Sequence, residues 1–232
     1  MMHFFDSLIS ETEKLITPFS KREYAKDISW HDAGQPQVIM RRDTAVELDG
    51  VGFNLITSAE IPDGIVVVGD ELKEIKKDRK FARVAIVKID KIDDEQKEYN
   101  LIKKIEYVKY HCFPDNCMMR STSRSHREAV RVSKQALIDG ADFCKIGSLL
   151  IEKYKEIPAV KAVKMIFITA ESMDYHAIEK IAEKNYTITE TLNHVINNLV
   201  LDCNTCNLKE ICDQVEGIKE LHFNKAVAYH EG

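Results

Sequence analysis

Apolar runs of two kinds alternate along the middle of the chain, and this alternation most restricts the folds that the chain can adopt. Val163–Thr169 and Ile65–Val68 have the pattern of buried strands, whereas the apolar positions from Leu101 to Val108 recur at helical spacing. Helices that alternate with strands pack as layers on a sheet. We therefore predict an α/β fold, with a layered mixed sheet and flanking helices.

Glycines divide the first half of this pattern into short pieces. Ala45–Leu48 and Phe53–Thr57 have strand character, and Gly50 and Gly52 lie between them. Glycine inside a strand pattern often marks a break or a bulge, so we predict two short strands here. Residues 111–127 show little periodicity and several bases, and we predict a loop.

The chain divides into three predicted segments. Residues 1–35 contain an amphipathic helix over about 4–17, and residues 21–36 are polar enough to predict an irregular connection. Residues 36–200 form the predicted α/β domain. Residues 201–232 form a small Cys-rich appendage, which we predict to bind a metal.

The metal prediction for this appendage rests on the spacing of its cysteines and a histidine. Cys203, Cys206, Cys212 and His222 follow the pattern C-x2-C-x5-C-x9-H. Two thiolates separated by two residues can reach one metal from a tight turn, and thiolates favour zinc or iron–sulfur clusters. The residues around them are mostly polar. Two alternatives remain: inert core cysteines, and a redox pair formed by Cys203 and Cys206. The spacing also does not decide between zinc and an iron–sulfur cluster.

Several short motifs occur in an order and spacing that resemble one known family. They are Val46–Leu48 followed by Gly50, Val67–Leu72, Arg131–Lys134, the helix Gly147–Pro158 and the strand Val163–Thr169. Together with the cysteine cluster, they resemble the β subunit of the CO dehydrogenase/acetyl-CoA synthase complex. The resemblance covers about residues 38–222. It implies the family's central α/β domain and the start of its metal-bearing domain.

The resemblance also bears on the metal. The family's cluster ligands follow C-x2-C-x8-C-x9-C, which Cys203, Cys206 and Cys212 match with a shorter spacer, and His222 stands where the fourth cysteine would be. This favours [4Fe–4S] over zinc, since imidazole can also ligate iron. Cys112 or Cys117 is the alternative fourth ligand. The sequence has no Cys-Gly-Cys, the family's second nickel site, so we expect no nickel.

A basic segment is the second candidate site. Its cations are Arg120, Arg124, Arg127, Arg131 and Lys134, which alternate with hydroxyl residues. Guanidinium groups and hydroxyls suit phosphate oxygens, and the family's central domain takes coenzyme A through arginines. The resemblance thus implies CoA binding here. A solvated basic loop, or a loop that binds an acidic partner, remains the alternative.

The resulting expectation is a stand-alone relative of the acetyl-CoA synthase β subunit in anaerobic one-carbon metabolism. It would bind CoA, transfer electrons or dock to a corrinoid or CO dehydrogenase-type protein, and whether it is an enzyme stays open. The alternative is a zinc-stabilised interaction module without redox or CoA function.

The net charge of −5 argues against a general nucleic-acid binder. No apolar run reaches the ~20 residues that span a bilayer, and the N-terminus lacks the basic start of a signal peptide. Six cysteines in such a chain indicate a reducing compartment, so we expect a cytoplasmic protein without a membrane partner.

Overall fold

The described residues form one mixed sheet of seven strands. The structure is a computed structural model that describes residues 2–92, 94–122, 126–196, 206, 208–215 and 218. The strands are β1 (Lys21–Tyr24), β2 (Thr44–Thr57), β3 (Gly64–Val68), β4 (Arg79–Ile89), β5 (Cys117–Ser121), β6 (Arg127–Ser133) and β7 (Val160–Ile168). They lie in the order β1-β3-β7-β4-β2-β6-β5. The predicted α/β fold with a layered mixed sheet is confirmed.

Six α-helices accompany this sheet within the same residues. They are α1 (Asp6–Ile16), α2 (Glu95–Tyr107), α3 (Lys134–Ile138), α4 (Phe143–Lys155), α5 (Tyr175–Ile196) and α6 (Lys209–Gln214). A short 3-10 helix, Val108–Tyr110, extends α2. Asp94, Ser133 and Asp142 cap the starts of α2, α3 and α4 by accepting backbone N–H groups. In the part of the chain described, no helix has the length and apolar character needed to cross a membrane.

The helices cover both faces of the sheet. Tyr154 of α4 donates to Asn54 of β2, whereas Thr57 of the same strand donates to Asp6 of α1. Asn54 and Thr57 are an odd number of residues apart, so their side chains point to opposite faces. α5 contacts both β2 and α1, so it lies on the same face of the sheet as α1. The core therefore has two layers, one on each side of the sheet.

β2 is a single strand of 14 residues, and the predicted break at Gly50 and Gly52 is wrong. A Cβ on Gly50 would lie 1.7 Å from the carbonyl oxygen of Phe81 on β4. A Cβ on Gly52 would lie 2.0 Å from Glu128 Oε2. These glycines allow close approach of neighbouring groups instead of turning the chain.

Two further predictions of irregular structure are wrong. Residues 21–36 include β1, an edge strand that pairs antiparallel with β3. Residues 111–127 include β5, which pairs with β6 and forms the other edge of the sheet. Edge strands have only one neighbour and need little apolar alternation, and neither segment shows much of it.

Candidate functional site

The C-terminal candidate site is represented by two of its four predicted ligands. Cys206 and Cys212 are both partly exposed and form no disulfide. The backbone N–H of Leu208 donates to Cys206 Sγ at 3.4 Å, and α6 begins directly afterwards. Cys203 and His222 lie outside the described residues, so the predicted set of four ligands stays a prediction.

This segment is attached to the core by apolar side chains. Ile211 of α6 and Ile218 are buried in the same hydrophobic cluster as the sheet. Cys212, next to Ile211, packs against that cluster while it stays partly exposed. The α/β domain therefore supports the position of Cys212 directly.

Two other cysteines lie in a different environment. Cys112 and Cys117 are each 1% exposed, and burial raises the pKa of both thiols to about 12. Among the described residues, no three His, Cys, Asp or Glu side chains come together as a group that could hold a metal ion. Neither Cys112 nor Cys117 therefore joins Cys206 and Cys212 in such a group.

The basic segment lies on β5, β6 and the start of α3, and two of its arginines pair with carboxylates of β2. Arg127 donates two hydrogen bonds to Asp49, at 3.1 and 3.3 Å. Arg131 donates to Glu47 at 2.9 Å and to the carbonyl of Ile39 at 3.3 Å. A phosphate would have to compete with Asp49 and Glu47 for these guanidinium groups.

The other three cations of the segment are less constrained or not described. Lys134 donates to the carbonyl of Arg42 at 3.1 Å and is otherwise exposed. Arg120 is exposed on edge strand β5, and Arg124 lies outside the described residues. The geometry thus brings Arg120, Arg127 and Arg131 to one hairpin without forming a phosphate pocket from them.

A buried ion pair on the other face of β6 did not emerge from the sequence. Arg83 of β4 donates to Glu128 of β6 through Nε at 2.8 Å and Nη2 at 2.6 Å, and both side chains are fully buried. Burial lowers the pKa of Arg83, but Glu128 and Tyr154 together outweigh burial and raise the pKa. Burial raises the pKa of Glu128, but Arg83, Lys109 and Ser121 together outweigh burial and lower the pKa. Both groups therefore stay charged.

Further polar groups lie near this ion pair, at the point where β2 loses its partner strand β6. Pairing between β2 and β6 ends where Gly52 N–H donates to the carbonyl of His126 at 2.8 Å. Beyond that point the end of α2 covers the open edge of β2. Lys109 Nζ lies 3.5 Å from the Gly52 carbonyl, and Asn54 donates to Glu106 at 3.0 Å.

Lys109 and His126 form a buried contact at the centre of this region. Lys109 Nζ lies 3.3 Å from His126 Nδ1 and 3.4 Å from Glu106 Oε2. Burial, then the charges of Lys109 and Arg83, lower the pKa of His126 to about 3, so the imidazole is neutral. An ammonium group has only donors, so Nδ1 accepts and Nε2 carries the proton.

The other ring nitrogen of His126 faces Asn185 of α5. Nε2 lies 3.4 Å from Asn185 Nδ2, and Asn185 Oδ1 is buried without a hydrogen-bond partner among the described residues. Two donors would face each other, so we infer that the amide is rotated and Oδ1 accepts from Nε2–H. His126 also has φ of +48°, a left-handed conformation that is uncommon for residues other than glycine. Such strain is often found at functional sites.

A cleft of about 700 Å³ opens beside His126, between α2, the β5–β6 hairpin and α5. The residues that line it include Tyr107, Tyr110, Ser121, His126 and Tyr186. Its volume is typical of small-molecule sites. The sequence gives one sign of this region: Arg83 interrupts the apolar strand β4, where a charge is rare unless it is paired.

Comparison with known proteins adds no relative. No protein-family model matches the chain, and no curated protein matches it significantly. The resemblance to acetyl-CoA synthase β subunits stays a prediction that rests on the short motifs and the cysteine spacing.

Proposed function

We propose that this chain is an accessory metal protein of anaerobic one-carbon metabolism. Cys203, Cys206, Cys212 and His222 hold a [4Fe–4S] cluster, and the α/β domain supports that segment. The protein transfers electrons to, or docks on, a corrinoid or CO dehydrogenase-type protein in the cytoplasm. The alternative that the same residues support is a zinc-stabilised interaction module.

The contrast among the cysteines carries the proposal. Thiolates, not thiols, bind metals, and the raised pKa values of Cys112 and Cys117 keep those thiols protonated. Cys206 and Cys212 are partly exposed, and Cys206 Sγ accepts a hydrogen bond from the backbone N–H of Leu208. The two cysteines of the predicted metal motif are therefore the accessible ones of these four.

Metal analysis tests the proposal directly. Protein purified without oxygen should contain iron and inorganic sulfide in equal amounts, with no nickel, and Cys206→Ala should lose most of both. Cys144→Ala is the matched control, since Cys144 is also partly exposed but lies on α4. Zinc without iron would favour the interaction module and overturn the cluster. Protein without any metal would overturn both proposals.

Alkylation gives an independent test. In metal-free protein, iodoacetamide should modify Cys206 and Cys212 much faster than Cys112 and Cys117, and metal should protect the first pair. Mass spectrometry of the digested protein measures each site. Equal rates at all four cysteines would remove the observation on which the proposal rests.

Of the three expected roles, we prefer electron transfer or docking to a partner protein over CoA binding. Arg127 and Arg131 already pair with Asp49 and Glu47, so a CoA phosphate gains little from them. A calorimetric titration with CoA, repeated with Arg124→Ala, tests this role. No heat at millimolar CoA would end it and leave the metal proposal unchanged.

A further inference from the structure

We propose that residues 25–34 form a strap that can release from α4 while the sheet and its helices stay folded. The strap follows β1 at one edge of the sheet, crosses α4 and reaches the segment just before β5, at the opposite edge. Its release would expose a face of α4 that the closed strap covers. The proposal does not depend on the predicted metal, because none of the predicted ligands contacts the strap through the bonds described below.

The strap covers a row of α4 residues spaced four apart. Asp27 N–H donates to Ser148 Oγ at 3.1 Å, and the Ser148 side chain is fully buried. Lys26 pairs with Glu152 at 2.8 Å. Cys144 Sγ lies 3.9 Å from the carbonyl oxygen of the first strap residue. Residues four apart share one face of a helix, so the strap runs along a single face of α4.

Asp32 holds the far end of the strap. Its carboxylate accepts the backbone N–H groups of Gly34 at 3.0 Å and Phe113 at 3.3 Å, and it pairs with Lys153 of α4 at 2.9 Å. Burial raises the pKa of Asp32, but these three partners together outweigh burial and lower the pKa. The charged carboxylate therefore joins the strap both to α4 and to the segment before β5.

The contacts that hold the strap are polar. None of its ten residues is buried, and Ile28 is 74% exposed. Backbone hydrogen bonds of 2.8 Å join His31 to Asp115 and Ala33 to Phe113. Segments with few buried apolar contacts open locally at a lower free energy than global unfolding requires. The strap meets that description, whereas α4 beneath it belongs to the hydrophobic core.

Trp30 gives a direct signal of strap release, since it is the single tryptophan of the chain. Its indole N–H donates to the carbonyl of Asp115 at 2.8 Å, and Lys145 Nζ lies 5.8 Å from the centre of its ring. Its backbone N–H donates to the carbonyl of Lys145 at 2.9 Å. Release breaks these contacts and transfers the indole to water, so tryptophan fluorescence follows the strap alone.

Urea titration of the full-length chain tests the proposal. We expect the fluorescence of Trp30 to shift to longer wavelength at a lower urea concentration than the loss of far-UV circular dichroism, which follows the helices and strands. Transitions that differ between probes show that one part opens before the rest. Coincident transitions would overturn the proposal.

Variants identify Asp32 as the residue that holds the strap closed. Asp32→Ala should move the fluorescence transition to lower urea and change the circular dichroism transition much less. Asp90→Ala is the matched control, because Asp90 forms an exposed pair with Lys161 at 3.0 Å, and it should alter neither transition. An equal shift of both transitions in Asp32→Ala would mean that the strap unfolds only with the rest of the chain, and would overturn the proposal.

A thiol placed under the strap measures its release without denaturant. In Cys144→Ala/Ser148→Cys the introduced thiol replaces a fully buried side chain, so iodoacetamide reaches it only when the strap opens. Hydrogen bonds to charged groups are among the stronger ones in proteins, and adding Asp32→Ala should raise the labelling rate about tenfold or more. Mass spectrometry of the digested protein measures each site.

Cys117 is the internal control for this labelling. It is 1% exposed at the start of β5, and its rate should be the same with and without Asp32→Ala, because release of the strap leaves the sheet folded. A rise at Cys117 that matches the rise at position 148 would indicate global unfolding and overturn the proposal. An unchanged rate at position 148 would also overturn it.

Discussion

β6 carries two neighbouring charged residues that make the same kind of ion pair in opposite environments. Arg127 pairs with Asp49, and these side chains are 67% and 40% exposed. Glu128, the next residue, pairs with Arg83, and both side chains are fully buried. Alternation along the strand sends one pair to solvent and the other into the core. The comparison separates what pairing contributes from what burial contributes.

The two pairs should differ strongly in their effect on stability. An exposed pair is screened by water and typically contributes at most about 1 kcal/mol. A buried pair stabilises little against an apolar replacement, but removal of one partner leaves an uncompensated charge in the core. We therefore expect the fold to depend on both partners of the buried pair and to tolerate loss of the exposed pair.

Glu128→Gln should give the largest loss of stability. The substitution keeps the shape but leaves the Arg83 guanidinium without its counter-charge, which costs about 3–5 kcal/mol. Urea unfolding of parent and variant measures the difference. The double variant Arg83→Met/Glu128→Leu should recover most of the loss, because no buried charge remains. A loss below about 1 kcal/mol for Glu128→Gln would contradict the proposed contrast.

Gly52→Ala should have the next largest effect, because the ion pair crosses directly over this residue. The added Cβ would lie 2.0 Å from Glu128 Oε2 and 2.8 Å from Arg83 Nη2. Overpacking of this kind costs about 1–3 kcal/mol. Gly64→Ala is the control, since its Cβ would meet only the carbonyl of Tyr24, at 3.2 Å. If both variants unfold at the same urea concentration, the Arg83–Glu128 pair does not depend on the absence of a side chain at Gly52.

The pH dependence of the free energy of unfolding should show the effect of protonating the buried His126. Its folded-state pKa of about 3 lies below the ordinary value of 6.5, so between these values the unfolded chain binds the extra proton. Stability is therefore fully present above pH 6.5 and falls as the pH decreases, by roughly 2 kcal/mol between pH 7 and pH 5. Urea unfolding at both pH values measures this change.

Two variants separate the contribution of His126 from those of other groups. His126→Asn should flatten the change between pH 7 and pH 5, because asparagine does not titrate and tolerates the left-handed backbone. His176→Gln, at an exposed position on α5, should leave the slope unaltered. An equally steep slope in His126→Asn would assign the dependence to other residues.

The sequence predicts the layers of this fold well because apolar runs such as Val163–Thr169 are short and rich in β-branched and aromatic residues, which favours buried strands. It predicts β5 poorly, since an edge strand needs little alternation. Gly52 is misinterpreted for a different reason. Glycine permits both a turn and a close approach, and only the position of Glu128 across the sheet distinguishes them.

The candidate sites also differ in how far the sequence alone could predict them. The cysteine motif and the basic segment are local in sequence, so their spacing can be recognised directly. Arg83 and Glu128 are 45 residues apart, and Lys109 and His126 come from different elements. No local pattern joins them. Arg83 is conspicuous in the apolar strand β4, but its partner is known only once the sheet register brings Gly52 opposite Arg83.

Arg127→Ala should have the smallest effect, and it completes the comparison. The exposed pair with Asp49 loses a screened interaction, so the free energy of unfolding should fall by less than about 1 kcal/mol, and less at high salt. Asp49→Asn should give the same small change, and the double variant should show little further loss. A loss comparable to that of Glu128→Gln would mean that pairing, and not burial, determines the energetic weight of arginine–carboxylate contacts on this strand.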